Sequence, residues 1–134
     1  MHLVNSDQDL QVRSRTERNI YETASGRLLM AYMTEKERSS LIQSIGYLTP
    51  DIWAGANTAD GIIAQMDKIR ADALCNTRSK SHIIGLAVPM RRQQQVVASL
   101  SVFLPEIRFS QDRQQQIEFE LRFTAEKISR RLSE

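Results

Sequence analysis

Apolar and polar positions alternate most clearly between Ile83 and Leu104, where two apolar runs flank a short polar break. The first run is Ile83 to Met90, the second is Val96 to Leu104, and Arg91 to Gln95 lie between them. Both runs have strand length and many β-branched residues. The connector is too short for a crossover helix, so the pair reads as an antiparallel hairpin at the centre of a sheet. Period-two alternation puts Val96, Ala98, Leu100 and Val102 on one face of the second strand and Val97, Ser99, Ser101 and Phe103 on the other. The first face, wholly apolar, is expected to carry the core. The second is expected to be a half-wet surface that can hold something small and polar, although serines that merely face solvent fit the same pattern.

Helical periods appear on either side of this hairpin. Small polar residues around Thr23 to Ser25 give way to the apolar run Leu28 to Ala31, which predicts a helix starting near Thr23 to Ser25. Thr34 followed by Glu37 is a capping box, so a second helix should start at Glu35, with Leu41, Ile42 and Ile45 as its apolar stripe and Gly46 at its end. Tyr47 to Asn57 reads as a loop carrying Trp53, the only tryptophan, placed to cap the core or edge a pocket. The spacing of Ile62, Ile63, Met66, Ile69 and Ala73 predicts a third helix from Thr58 to about Ala73, and Asn76 to Ser81 reads as a polar connector. Ser110 is a candidate N-cap for a last helix that buries Ile117, Leu121, Ala125, Ile128 and Leu132 and exposes an ion-paired face of Arg113, Glu118, Arg122, Glu126 and Arg130. Near the start, the turn-like Asn5 to Asp9 suggests the end of a hairpin returning through Leu10 to Arg15.

The start of the first helix has chemical interest, because its first amides lack internal partners and carry the positive end of the helix dipole. A small carboxylate or phosphate can approach there if the side chains are small. The same residues are also explained if Thr23 or Ser25 is only an N-cap and Gly26 only permits close packing.

The rest of the chain mostly excludes function classes. Its 134 residues suit one domain, and 41% apolar with 25% charged residues is ordinary for a globular protein. A net charge of +2 does not describe a nucleic-acid surface. Arg13, Arg15 and Arg18 cluster, but with Glu17 among them and no interleaved aromatics they read as a solvated face. Cys75 is the only cysteine, so neither an internal disulfide nor a cysteine-based zinc site can form within one chain. No phosphate loop, nucleophile elbow or paired-cysteine motif is present, so no cofactor is implied. Cys75, His82 and Asp72 lack any orienting motif for nucleophilic chemistry, and no enzyme is expected. The longest apolar run is too short for a bilayer and the N-terminus lacks a signal pattern, so no membrane contact and a cytoplasmic location are expected.

Taken in order, several segments resemble the effector-binding domain of the isocitrate lyase regulator (IclR) family of bacterial transcription factors. They are Tyr21 to Tyr32, Ile69-Arg70, Gly85 to Met90, Val96 to Val102, and the helix holding Ala125, Ile128 and Ser129. The resemblance implies an α+β, GAF-like fold, a curved antiparallel sheet flanked by helices, with a small organic acid bound between the helix-start loop and the central strands. It implies that Ala24, Ser25 and Gly26 offer backbone amides to the ligand carboxylate and that Ser101 contacts the ligand. With Cys75, Ser99 and Phe103 these form the candidate ligand-binding set. Phe103 stands where the family often has a small residue, and Cys75 and Arg78 replace its usual pattern before Gly85, which points to a bulkier or more apolar acid. Self-association as a dimer or tetramer is also implied, with DNA contacted only through a winged helix-turn-helix domain that this chain lacks. On this reading the chain is a single sensing domain over residues 1–134, a piece of a longer regulator that also lacks the domain's first elements. The alternative is a structural assembly module of the same fold without a working ligand site.

Overall fold

The sheet in the computed structural model, which describes residues 20–46 and 53–134, is built around the expected hairpin. Among the described residues it has three antiparallel strands in the order β1 (Cys75–Arg78), β2 (Ile83–Arg92), β3 (Gln95–Pro105). β2 and β3 outrun their apolar segments because Arg91 pairs with Val96 and Arg92 with Gln95, leaving Gln93-Gln94 as a two-residue turn. Both glutamines have positive φ, 51° and 73°, the sign at both positions that the favoured two-residue hairpin turn requires. The last helix steadies this tip. The Arg91 amide donates to Ser129 Oγ at 2.8 Å and the Gln93 amide to Ser133 Oγ at 2.9 Å.

β1 lies partly inside the stretch expected to be a polar connector, and that expectation is corrected. Cys-Asn-Thr-Arg buries alternate residues, Cys75 and Thr77, against the β2 partners Ala87 and Gly85. Pairing with an apolar neighbour makes a strand of a segment too polar and too short to announce one. The expected N-terminal hairpin and the Arg13, Arg15 and Arg18 cluster lie outside the described residues, as do positions 47–52 of the expected loop.

Among the described residues four long helices flank the sheet: α1 (Ala24–Ala31), α2 (Glu35–Ile45), α3 (Ala59–Asp72) and α4 (Gln111–Leu132). Thr23, Thr34, Thr58 and Ser110 cap their starts with side-chain oxygens. At α2 the capping box is complete, Thr34 Oγ1 accepting from the Glu37 amide and Glu37 Oε1 from the Thr34 amide, both at 3.1 Å. These hydrogen bonds hold the Glu37 carboxyl below its ordinary pKa. Two stripes differ from expectation. Ile63 is exposed on α3, and Leu132 is exposed at the fraying end of α4. Of the ion pairs expected along α4, the described residues form Glu126–Arg130 at 2.6 Å, while Arg122 turns to the carbonyl of Ala73. Exposed pairs gain too little to fix long side chains in one geometry.

The two sheet faces share the burial differently from the sequence expectation. The larger cluster, with Tyr21, Ala24, Leu28, Met30, Trp53, Ile62, Met66, Cys75 and Ala87, lies on the serine-bearing face beneath α1 and α3. The apolar face packs Leu100, Val102 and Val88 against Leu121 and Ala125 of α4 in a smaller cluster, and its β3 residues are only half-buried. Among the described residues β3 is an edge strand, and a single long helix covers that face. The serine face instead receives two helices. No helix among the described residues is long and apolar enough to cross a membrane.

Candidate ligand-binding site

Register gathers the strand-borne candidates on one face. Cys75, Ala87 and Ser101 form one row across the three strands, Thr77, Gly85 and Phe103 form the next, and Pro89 and Ser99 form the row on the other side. α1 packs across all three strands on this face. Its first turn reaches β3 directly, since the Ser25 and Ser99 hydroxyls hydrogen-bond to each other.

That first turn settles which residue caps the helix. Thr23 Oγ1 accepts from the Gly26 amide at 3.0 Å, and the Thr23 carbonyl accepts from the Arg27 amide at 3.0 Å. The Gly26 amide is therefore already engaged, which leaves those of Ala24 and Ser25 as the helix-start donors without an intrahelical partner. Gly26 itself is a packing position. A Cβ there would sit 2.5 Å from Ile20 Cα and closer still to the Ile20 carbonyl oxygen. Ala24 is fully buried and Ser25 is 6% exposed, while Ser101 is half-buried.

Cys75 is buried, and desolvation pushes its thiol up to about 11 against the opposing pull of Arg27. It borders a cleft of about 160 Å³ between α1 and α3, whose wall carries Arg27, Trp53, Gln65, Lys68 and Asp72. The Arg27 guanidinium lies 4.4 Å from the centroid of the Trp53 ring, and its Nε donates to the Tyr21 carbonyl at 2.6 Å. Burial lowers its pKa, with Cys75 and Glu22 opposing. Trp53 thus fills both roles open from the sequence, in the core cluster and at a cleft. Phe103 is 54% exposed, and its ring lies 3.1 Å from where a Cβ on Gly85 would stand. It closes over the smallest residue of the sheet.

Sequence reasoning missed Thr77, Arg27 and Lys68. Thr77 is 9% exposed, and its hydroxyl has no hydrogen-bond partner among the described residues, so it is a polar group left with capacity on the site face. The alternation Cys-Asn-Thr-Arg was its available signal. Arg27 and Lys68 carry no motif, since they approach Cys75 only through the packing of α1 and α3 on the sheet. The sheet-face hydroxyls and the cations of the cleft meet at Cys75, which belongs to both groups. Nucleophilic chemistry has no matching geometry. His82 is 81% exposed beyond the far end of β1, its Nδ1 3.2 Å from Glu106 Oε2, while the Cys75 thiol is buried under α1. No group of acidic, histidine or cysteine residues suited to a metal occurs among the described residues.

Residues 1–130 match the family model described as "Bacterial transcriptional regulator IclR C-terminal". The chain belongs to the IclR C-terminal family. It is 28% identical over 134 residues to the HTH-type transcriptional regulator KdgR of Escherichia coli (strain K12), covering 96% of this chain and 51% of that protein. For KdgR of Dickeya chrysanthemi the identity is 26%, covering 96% of this chain and 44% of that protein. The chain thus spans about half the length of these relatives. Among solved structures, the C-terminal domain of E. coli KdgR superposes with a TM-score of 0.71 at 24% identity, over 86% of this chain and 71% of that one. The inducer-binding domain of PobR from Acinetobacter, a double mutant in complex with 3-hydroxybenzoic acid, superposes at 0.70 with 21% identity, over 82% and 65%. These likenesses establish an α+β fold of the IclR C-terminal type, and the family is one of transcription regulators, which is not an enzyme class.

Proposed function

We propose that this domain senses a small organic acid and passes its binding state to a helix-turn-helix DNA-binding module, within a self-associating cytoplasmic regulator. The observation that carries this reading is the gathering of Cys75, Thr77, Ser99 and Ser101 on one sheet face beneath the first turn of α1. A carboxylate there would take hydrogen bonds from the hydroxyls and from the Ala24 and Ser25 amides. Each such charge-assisted bond is about twice as strong as a neutral one. The half-exposed ring of Phe103 supplies an apolar wall, which favours acids with an aromatic or branched body over the smallest keto acids. The PobR complex supports the class, since an aromatic acid is held by a domain of this fold.

Thermal-shift screening of aliphatic, keto, sugar and aromatic acids tests this. At about 100 times its dissociation constant a ligand adds roughly 2.7 kcal/mol, a rise of several degrees in Tm. Ser101→Ala and Thr77→Val should reduce that rise. No stabilisation by any acid class would count against the reading and favour the second one, a structural module whose site is closed by its own side chains. That second reading is supported by the Ser25–Ser99 hydrogen bond and the burial of Ser25.

A further inference from the structure

The cleft between α1 and α3 holds charged groups that the sheet-face site does not use. Its volume is about 160 Å³, the room of about five waters, and of the sheet-face candidates only Cys75 borders it. Gln65, Lys68 and Asp72 stand three and four residues apart on one side of α3, with the buried Ile69 between them. Among the described residues none of these three side chains makes a hydrogen bond or an ion pair. The same cleft is lined by Arg27, whose position is fixed. Its Nε donates to the Tyr21 carbonyl at 2.6 Å, and its guanidinium lies 4.4 Å from the Trp53 centroid.

The charges here balance. Arg27 and Lys68 are positive, while Asp72 and the Glu22 that acts on Arg27 are negative. A simple carboxylate entering the cleft meets both anions as well as both cations, so much of its Coulombic gain is cancelled. A molecule that carries both poles turns Asp72 from an opponent into a partner, through a charge-assisted hydrogen bond. We propose that the cleft is a second binding site that takes a small α-amino acid, its carboxylate on Lys68 and Arg27 and its ammonium on Asp72 and the Gln65 side-chain carbonyl. Lys68 and Asp72 are about one turn of α3 apart, roughly 6 Å along the axis, and the two poles of the amino acid, joined through a single carbon, lie between them. Room for about five waters suits a charged head and a short side chain rather than a drug-sized body, and Trp53 gives that side chain an apolar wall. An amino acid held there stands beside the acid-sensing site, at Cys75, without occupying it.

Trp53, the only tryptophan, lines the cleft and reports its occupancy. Titration of the whole chain with L-alanine and L-valine up to about 50 mM, followed by Trp53 fluorescence and by calorimetry, should show saturable binding of one or both. Matched probes each lack one pole. Propionate and isovalerate lack the ammonium of alanine and valine, and ethylamine and isobutylamine lack the carboxylate. Each should bind at least about tenfold more weakly than its parent amino acid. Asp72→Asn should remove the preference for the amino acid over its matched acid, and Lys68→Met should reduce the preference over its matched amine. Both positions are exposed, so the urea midpoint should not move. No binding of either amino acid, a matched acid that binds as tightly as its parent, or a preference that survives Asp72→Asn would each overturn the proposal. Acids that bind where the amino acids do not would remove this site and leave the acid-sensing reading standing. Amino acids that bind to a domain no acid class stabilises would do the reverse.

Discussion

Consider Gly26→Ala, which adds one methyl group at the third residue of α1. In an open helix this exchange stabilises by about 1 kcal/mol. Here the methyl would stand 2.5 Å from Ile20 Cα and 2.8 Å from the Ile20 carbonyl carbon, both backbone atoms that cannot rotate aside. Relief requires the Ile20–Tyr21 segment to move by about 1 Å, and overpacking of this kind costs about 1–3 kcal/mol. The segment is also anchored elsewhere. Tyr21 is fully buried, its hydroxyl donates to the Gly46 carbonyl at 3.0 Å, and its own carbonyl accepts from Arg27 Nε at 2.6 Å. Disturbing that charge-assisted bond adds about 1.5–3 kcal/mol at most. Set against the helix gain, the net expectation is a loss of about 2 kcal/mol out of a typical 5–15. With a urea slope of about 2 kcal/mol per molar, the midpoint should fall by about 1 M. Trp53, the only tryptophan and 6% exposed beneath Arg27, reports the transition by fluorescence. Gly46→Ala is the comparison for backbone strain without a clash, because among the described residues nothing lies within 4 Å of the new methyl and its φ of +90° is what opposes the change. A Gly26→Ala midpoint equal to or above that of the parent chain would refute the packing argument.

Two further outcomes follow from the same face of the sheet. The Cys75 thiol has its pKa raised from 9.0 to about 11 by burial, so the folded state holds this proton more tightly than the unfolded state. Its contribution is therefore complete below pH 9 and lost as pH rises toward 11, on the order of 2 kcal/mol, and Cys75→Ala should flatten the alkaline arm of a urea-midpoint profile. Ser99→Ala should cost about 1–2 kcal/mol because it strands the buried Ser25 hydroxyl, and Ser25→Ala should cost less because the Ser99 hydroxyl it leaves is only half-buried. The double variant should cost less than the two together, and strict additivity in a double-mutant cycle would remove the bond from the account.

The elements with strong local signals were legible. The hairpin, the Thr34–Glu37 capping box and the Ser110 cap appear at or within a residue or two of their expected places, because alternation and capping are written in adjacent residues. What was not legible depends on partners distant in the chain. β1 is a strand because β2 lies beside it, and the choice of which sheet face carries the larger core was made by α1 and α3 docking on the serine side. For the same reason the cleft beside Cys75 gave no sequence signal, since Arg27, Trp53 and Lys68 converge only after those helices dock.

β3 is the element that touches both the candidate site and the inner face of the last helix. Ser99 and Ser101 face α1, while the intervening Leu100 and Val102 pack toward Ile117 and Leu121 of α4. A ligand carboxylate that took the Ser99 hydroxyl would replace the Ser25–Ser99 bond, which is present or absent and so has the discrete character that coupling requires. One neutral hydrogen bond is worth about 1 kcal/mol, so its exchange alone changes affinity at a distant surface by no more than about fivefold. A regulator that needs a hundredfold response must involve about 2.7 kcal/mol. Among the described residues the unit in contact with the site that is large enough is α1 itself, whose Leu28 and Met30 are fully buried against the sheet and α3. Moving it would also shift Tyr21, Arg27 and Trp53, so the fluorescence of Trp53 should change on effector binding by a hundredfold switch and stay constant in a fivefold one.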